Sequence, residues 1–282
     1  VSEEFKVKLH SSAKINLNLN IDNNIVNGLH TLSTLMIPIN LFDEIEIKEI
    51  DTDNDIIEFS PQIQMNGEST IHKALQCLRI VNNFEQKFHI KVKKSIPVEA
   101  GLGGGSSNAG SIIKYMATKY RLIIPEQAVI ARSIGSDVPF FVNGTTAEVT
   151  GFGEEVRSVK LTEPLHLLIA TPHETLSTVD VFNSFDKQVV EEEVETKFYK
   201  DIAIKNNLWN AAVGIEPKLL EHKKYLESIV KCEFFMSGSG TTLFCFGEEN
   251  ELTKKKEKIN LEHFRHLAVT KKIDCSLLQE AD

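Results

Sequence analysis

The pattern of apolar and polar positions is clearest near the N-terminus, where every second residue of 13–21 is apolar. Strict alternation is typical of a β-strand that packs one face against a core. The expected core positions are Ile15, Leu17, Leu19 and Ile21. The opposite face carries Lys14, Asn16, Asn18 and Asn20. This face is either a polar cavity that positions a ligand or the outside of a plain edge strand, and the pattern alone leaves both open.

Further along the chain, strand-like and helix-like patterns alternate. Strands are predicted over residues 31–39, 43–50, 88–93, 145–149, 165–170, 233–236, 243–246 and 266–270. Helical spacing is predicted over 72–81, 111–120, 125–135, 217–231 and 248–258, with a short helix or turn over 178–185. Residues 22–30 read as a loop, and 186–207 as a solvated helix or a mobile loop. Strands that alternate with helices predict an α+β fold. A change of composition near residue 160 predicts two domains, 1–160 and 161–282.

A glycine-rich stretch connects the predicted strand 88–93 to the following helix. It consists of Pro97, Val98, Glu99, Ala100, Gly101, Leu102, Gly103, Gly104, Gly105, Ser106 and Ser107. A glycine loop between a strand and a helix allows the backbone N–H groups of the helix start to bind phosphate. No lysine follows the glycines, and the third glycine of the dinucleotide-binding motif is missing, so both of those motifs are excluded. The simpler alternative is a flexible turn in which a serine hydroxyl caps the helix.

Two other short segments are candidates for chemistry. Asp137 lies between Gly135 and the Val138-Pro139 pair, and Pro139 favours an extended residue before it. This aspartate is either a general base or a structural turn residue. A second glycine turn, Ser237-Gly238-Ser239-Gly240, follows the strand predicted at 233–236.

Composition and charge narrow the class of protein. The chain has 282 residues and a net charge of −9, which argues against a general nucleic-acid surface. The four cysteines are scattered without a C-x-x-C pair, as expected of reduced thiols in the cytoplasm. The sequence shows neither a signal peptide nor an apolar run long enough to cross a membrane. We therefore expect a cytoplasmic protein, a monomer or homodimer, that holds anionic ligands locally.

Three separated motifs resemble those of the GHMP kinase superfamily in order and spacing. They are Ala13-Lys14-Ile15-Asn16, the stretch from Pro97 to Ser107, and Ser237-Gly238-Ser239-Gly240. The segments Gly28-x-His30, Gly135 to Phe141 and Gly151-Phe152-Gly153-Glu154 are similar to one branch of it. That branch phosphorylates a cytidine-diphosphate-linked methylerythritol in non-mevalonate isoprenoid precursor biosynthesis.

The resemblance implies a ribosomal-protein-S5-like N-terminal domain and a ferredoxin-like C-terminal domain. ATP would bind the stretch from Pro97 to Ser107 in a cleft between them, and the Ser237–Gly240 turn would help to close that cleft. Asp137 would be the general base and Lys14 the charge stabiliser. Asn16, Leu29, His30, Thr178 and Phe182 would contact the small-molecule substrate. Mg²⁺ would accompany ATP, with Ser107 as a candidate contact.

The sequence departs from the branch at the substrate and nucleotide positions. Leu29 stands where the branch usually has an aromatic residue that stacks on cytosine, and Ser69-Thr70 replaces an asparagine. Two alternatives therefore remain: a GHMP kinase for a different small alcohol, and an ATP-binding regulatory protein with little turnover.

Overall fold

A computed structural model describes residues 7–26, 29–63, 67–187 and 194–279. The strands are β1 Val7–Val26, β2 Leu29–Ile50, β3 Ile56–Ser60, β4 Lys87–Lys93, β5 Ala147–Gly151, β6 Glu155–Ser158, β7 His166–Pro172, β8 Lys197–Tyr199, β9 Ile202–Asn206, β10 Phe235–Met236, β11 Leu243–Phe246, β12 Phe264–Lys271 and β13 Leu277–Gln279. The helices are α1 Thr70–Val81, α2 Gly104–Tyr120, α3 Gln127–Ser133, α4 Val138–Asn143, α5 Thr178–Lys187, α6 Trp209–Ile215, α7 Lys218–Val230 and α8 Glu249–Lys256. The predicted mixture of helices and strands is confirmed.

The larger sheet is organised around the long antiparallel pair β1–β2. Its order is β3-β4-β2-β1-β9-β8, with β13 added on β1 and β5-β6 added on β2. The prediction of a loop over 22–30 is too long, because β1 continues to Val26 and β2 begins at Leu29. The pairing of the two strands extends this ribbon beyond the apolar alternation, which ends at Ile21. Asn27 and Gly28 lie outside the described residues.

The smaller sheet has the order β10-β11-β7-β12, and all of its neighbouring strands are antiparallel. Helices α7 and α8 pack on it through Leu219, Leu226 and Leu252, which are fully buried. Helices α1 and α2 cover one face of the larger sheet in the same way.

A third group of buried side chains lies between the two sheets. Ile15 and Leu17 of β1 join Ile169 of β7 and Phe244 of β11 in this cluster. Leu102, from the middle of the glycine-rich stretch, belongs to the same cluster. The alternation predicted for β1 is thus confirmed, and its apolar face connects the two sheets directly behind the glycines.

Several element predictions need correction. Helix α2 begins at Gly104, seven residues before the helical spacing starts, and its N-cap is Gly103 at φ 70°. Neither Ser106 nor Ser107 is the cap, because both lie inside the first turns of the helix. Four glycines in five residues have low helix propensity and so concealed this start.

The described part of 186–207 contains strands β8 and β9, where a solvated helix or loop was expected. Ile202 and Ile204 of β9 are buried, and the strand pairs in parallel with β1. Helices α4 and α6 were not predicted. Val138, expected to be extended before Pro139, is instead the first residue of α4, where proline is tolerated in the first turn. The division at residue 160 stays a prediction. Strands β9 and β13, which follow this position in the sequence, pair with β1 of the larger sheet.

Candidate active site

Lys14 extends from the polar face of β1 into the interior, with only 4% of its side chain exposed. Its Nζ lies 3.3 Å from Asp137 Oδ2 and donates a hydrogen bond to Asn16 Oδ1. A buried ammonium group is stable only when it is paired and hydrogen-bonded, and these two oxygens provide both interactions. Of the two readings of β1, the structure supports the polar cavity.

Asp137 occupies the N-cap position of α4 without using its side chain to cap the helix. The carboxylate is 26% exposed, so it faces Lys14 on one side and open space on the other. Phe140 and Phe141 anchor α4 in the core, because both side chains are buried. The aspartate therefore stands on a fixed element at an accessible position.

Asn16 is occupied by protein partners at both ends of its side chain. Its Oδ1 accepts from Lys14, and its Nδ2 donates to Thr34 Oγ1 at 2.9 Å. Its backbone N–H donates to Ser237 Oγ at 3.2 Å. These contacts orient Lys14, and the contact of Asn16 to substrate that the resemblance implied stays a prediction.

The glycine-rich stretch passes next to Lys14 before it enters α2. The backbone N–H of Lys14 donates to Leu102 O at 3.0 Å. Gly104, Gly105 and Ser106 then line the cleft at the N-terminus of the helix. Free backbone N–H groups and the positive end of the helix dipole favour an anion at this position. Ser107 has no exposed surface, and its Oγ has no hydrogen-bond partner among the described residues.

The Ser237–Gly240 turn, the late glycine turn, packs backbone to backbone against the glycine-rich stretch. A Cβ on Gly101 would lie 2.1 Å from Ser237 O, and one on Gly240 would lie 2.0 Å from Gly101 N. Side chains at either position would collide with the main chain of the other turn. Glycine is thus required here for contact between the two turns, in addition to any role in phosphate binding.

These elements enclose a cleft of about 640 Å³. Its lining includes Lys14, Asp137, Pro97, Val98, Glu99, Ala100, Gly101, Gly103, Gly104, Gly105, Ser106, Thr178, Ser239 and Gly240. Most of the residues predicted for catalysis and for nucleotide binding therefore meet in one place. A cavity of similar volume, 650 Å³, lies on β2, β3 and β4, away from Lys14 and Asp137.

Helix α5 connects the cleft to a group of aromatic side chains. Thr178, at its start, lies 2.9 Å from Ser239 through the two hydroxyl oxygens. Phe182 follows four residues later on the same helix face, with its ring centroid 6.3 Å from that of His30. The side chain of Leu29 is outside the described residues. Phe182 thus lies about one helical turn from Thr178, with His30 next to it.

His30 is held by two oxygen atoms. Its Nδ1 lies 2.7 Å from Asp22 O, and its Nε2 lies 2.5 Å from Asp186 Oδ1 in α5. Burial of the ring opposes protonation, but the Asp22 carbonyl and the Asp186 carboxylate outweigh it and raise the pKa of His30 above 6.5. An Nδ1–H bonded to Asp22 leaves Nε2 able to donate to Asp186 only when the imidazole is protonated.

Several residues that support the loop were missed by sequence reasoning. Lys94 Nζ lies 3.1 Å from Asn108 Oδ1 and also pairs with the fully buried Asp43. Asp43 Oδ1 accepts from the backbone N–H groups of Ser95 and Ile96 at 2.8 and 2.9 Å, and so fixes the entry to the loop. The available signal was an acidic residue at position 43, in phase with the apolar positions Ile45 and Ile47 of an alternating strand.

The Ser69-Thr70 departure also has a structural role. Ser69 caps α1 by accepting from the backbone N–H of His72 at 3.2 Å. Thr70 Oγ1 donates to Gly105 O at 2.7 Å. The start of α1 is therefore bonded directly to the start of α2.

Comparison with known proteins agrees with this geometry. The family model described as "GHMP kinases N terminal domain" matches residues 69–145. A crystal structure of 4-(cytidine 5'-diphospho)-2C-methyl-D-erythritol kinase superposes with a TM-score of 0.78 at 24% identity, over 94% of this chain and 99% of that chain. The fold is that of a GHMP kinase.

Full-length relatives identify the branch. A 4-diphosphocytidyl-2-C-methyl-D-erythritol kinase of Fusobacterium nucleatum is 34% identical over 90% of this chain and 92% of its own. One of Caldicellulosiruptor bescii is 31% identical over 90% of this chain and 94% of its own. The chain belongs to the family of 4-diphosphocytidyl-2-C-methyl-D-erythritol kinases. Membership of a kinase family implies that ATP is the phosphoryl donor.

Proposed function

We propose that the chain transfers the γ-phosphoryl group of ATP to the 2-hydroxyl of 4-diphosphocytidyl-2-C-methyl-D-erythritol. The observation that carries this proposal is the 3.3 Å pair of Lys14 and Asp137, beside the N-terminus of α2 in one cleft. The names of the full-length relatives support the choice of substrate.

In the proposed reaction, Asp137 accepts the proton of the substrate hydroxyl as the oxygen attacks the γ-phosphorus. The bond between that phosphorus and the bridging oxygen to the β-phosphate breaks, and ADP leaves. Lys14 stabilises the negative charge of the transferring group, because its ammonium lies next to the carboxylate that receives the proton. Phosphoryl transfer depends on such positioning and charge stabilisation more than on covalent catalysis.

The triphosphate would bind at Gly104, Gly105 and Ser106, where the N–H groups of α2 are free. Mg²⁺ is bound in many kinases by one or two protein oxygens together with phosphates and water. Glu99 and Ser106 line the cleft and offer such oxygens, so the residues fit the ion and leave Asp137 to accept the proton. Ser107 is fully buried and is less suited to contact it. When bound, Mg²⁺ offsets the charge of the triphosphate.

Among the described residues, no cluster of three or more histidine, cysteine, aspartate or glutamate side chains could hold a metal by itself. We therefore propose that the ion arrives with the nucleotide rather than at a site preformed by the protein.

The cytidine end of the substrate would lie toward His30 and Phe182, with Thr178 between that end and the cleft. Phe182 offers an aromatic face for the base, and base stacking on such a face is worth about 1–3 kcal/mol in nucleic-acid sites. Thr178 and Phe182 lie on one face of α5, which supports a single extended substrate site.

A coupled ADP-release assay tests the proposal. Turnover is expected with the cytidylyl substrate and little with methylerythritol phosphate or mevalonate at equal concentrations. Preference for an alcohol without the cytidine group would favour the different-alcohol alternative. ATP binding without turnover on any of these alcohols would favour the regulatory one.

The structure contains no helix, within the ranges it describes, that is long and apolar enough to cross a membrane. The cytoplasmic location and the monomeric or dimeric state stay predictions.

A further inference from the structure

Asn206, the last residue of β9, holds the late glycine turn from behind. Its side chain is buried, with 7% of the residue exposed. Its Nδ2 donates to Met236 O at 2.9 Å and to Gly238 O at 2.8 Å. Its Oδ1 accepts from the backbone N–H of Leu208 at 3.0 Å. Both N–H groups and the carbonyl of the amide are therefore used.

The two carbonyls that Asn206 binds are on either side of Ser237. Ser237 Oγ accepts from the backbone N–H of Asn16 at 3.2 Å and donates to Gly101 O at 3.2 Å. The next residue, Gly238, is so close to the site that a Cβ on it would lie 3.2 Å from Lys14 Nζ and 3.1 Å from Asn16 Oδ1. The position of this turn therefore limits where the Lys14 ammonium can lie.

Asn206 is itself attached to the strand that carries Lys14. It pairs with Leu19 of β1, and the backbone N–H of Asn207 donates to Leu19 O at 3.0 Å. The Ser237–Gly238 turn and Lys14 are thus both attached to β1, and the Asn206 amide connects the turn to that strand.

We propose that Asn206 is a positioning residue for phosphoryl transfer, which acts through the Ser237–Gly238 turn on Lys14 and Asn16. This inference rests on the proposed function. Asn206 contacts neither nucleotide nor substrate in this scheme; its amide fixes the main chain against which the catalytic lysine packs.

The effect falls on turnover more than on nucleotide affinity. The glycine-rich stretch keeps two contacts of its own, Lys14 N–H to Leu102 O at 3.0 Å and Thr242 N–H to Ala100 O at 3.2 Å. A small displacement of a catalytic group reduces rate strongly, so Asn206→Ala should lower kcat by about 10- to 100-fold. The dissociation constant of ADP should change by less than about threefold, because it depends on the loop and on α2.

Asn206→Asp provides a test that a general loss of stability does not imitate. The aspartate retains the acceptor for Leu208 but turns a carboxylate toward two carbonyl oxygens, where burial and repulsion raise its pKa. When protonated, the carboxyl group can again donate to one of them. The ratio of Asn206→Asp kcat to wild-type kcat should therefore rise as the pH falls from ~8.5 to ~6, while the ratio for Asn206→Ala stays constant.

Asn207→Ala is the matched control. Asn207 is the adjacent residue of the same type, and its buried Oδ1 has no hydrogen-bond partner in the part of the chain that the structure describes, so its removal breaks no bond of that oxygen. This variant should keep wild-type kcat at every pH. Urea denaturation of each protein gives the folded fraction, and kcat is expressed per folded molecule.

Hydrogen exchange over residues 236–242 follows the turn without any substrate. Faster exchange in Asn206→Ala than in wild type and Asn207→Ala is expected. Equal kcat or equal exchange in Asn206→Ala and Asn207→Ala, or a kcat ratio of Asn206→Asp to wild type that does not change with pH, would overturn the inference. Wild-type protein that fails to phosphorylate the cytidylyl substrate would reject the proposed function alone, because hydrogen exchange would still decide whether Asn206 holds the turn.

Discussion

At the scale of single residues, the site depends on a buried ammonium group shared by two oxygens. Lys14 has Asp137 and Asn16 as partners, and each restricts it in a different way. Asn16 is fixed by Thr34 and Ser237, so it holds the lysine on the protein side. Asp137 keeps part of its surface open and is free to meet a substrate hydroxyl. The pair therefore combines a fixed cation with an accessible base.

Changing either member of the pair should stop catalysis more than it disturbs folding. Asp137→Asn removes the proton acceptor and Lys14→Met keeps the volume of the stem without the charge, and each should reduce kcat by at least ~10²-fold. The measurement is ADP release at saturating substrate, after urea denaturation has shown the variants to be folded. Asp201→Asn, at an exposed turn between β8 and β9, is the control and should be unaffected. Near-normal turnover of Asp137→Asn would disprove the general-base assignment.

At the scale of elements, the glycine-rich stretch and the start of α2 form the proposed nucleotide-binding segment. The four glycines of this segment have different neighbours. Gly101 and Gly103 have φ values of 77° and 70°, a conformation that side chains disfavour, and a Cβ on Gly104 would lie 3.0 Å from Ile96. Gly105 is exposed, and a Cβ there would have Thr70 Oγ1 as its nearest neighbour at 3.5 Å. Only the last of these positions accepts a side chain without strain.

Gly105→Val therefore separates phosphate binding from folding. The Cβ of the valine has room beside Thr70, and its methyl groups would occupy the space in front of the helix N-terminus. ATP affinity should therefore fall by at least about tenfold, or 1.4 kcal/mol. Isothermal titration calorimetry measures this affinity. The control is Gly214→Val in α6, where a Cβ would meet no atom within 4 Å. Unchanged ATP affinity in folded Gly105→Val protein would count against a phosphate-binding role for this segment.

At the scale of the whole molecule, the two sheets meet through their glycine turns and through the aromatic group on α5. Gly101 and Gly240 bring main chain against main chain, and His30 joins the β1–β2 ribbon to α5 through Asp186. Both contacts join residues far apart in sequence on either side of the cleft. Their strength therefore governs how the cleft is held together.

Gly240→Ala tests the contact between the turns. Its Cβ would lie 2.0 Å from Gly101 N and 2.2 Å from Ala100 C, which forces the two backbones apart. Overpacking of this kind should lower the free energy of unfolding by about 1–3 kcal/mol, and turnover should fall as well. Urea denaturation measures the change, with Gly214→Ala expected to be neutral or stabilising. Stability of Gly240→Ala within about 0.5 kcal/mol of wild type would contradict the contact.

The His30–Asp186 contact should make stability depend on pH. Because the pKa of folded His30 is raised above 6.5, its stabilising effect is complete below that value and is lost as the pH rises through the folded pKa. Asp186→Asn should thus have a lower Tm than wild type at pH ~5.5, and the two should converge by pH ~9. Asp180→Asn on the same helix is the control. A Tm difference that is constant across this range would rule out the protonated pair.

The sequence by itself determined the elements with strong periodicity and the positions with unusual chemistry. The alternation of residues 13–21 predicted the strand, its apolar face and its polar face, since each follows from the two-residue period of a strand. Helix α1 and strand β4 were predicted to within two residues, because their apolar spacing is regular. Lys14, Asp137 and the glycine turns stood out as residue types that a plain core or surface does not need.

Only the tertiary structure decided what these residues touch. The pairing of Lys14 with Asp137 spans 123 positions along the chain, and the contact of Gly101 with Gly240 spans 139; no local pattern encodes either. Strand β9 was missed because Ile202 and Ile204 give only one repeat of the two-residue period within a charged segment. Pairing with β1 and burial of these two side chains stabilise it. Asn206 carries no sequence signal, because two consecutive asparagines are typical of a loop. Its role becomes visible only in the folded chain, where its amide binds the carbonyls of Met236 and Gly238. Periodicity is a local property that the sequence carries, whereas a site is a set of distant contacts that exists only after the chain has folded.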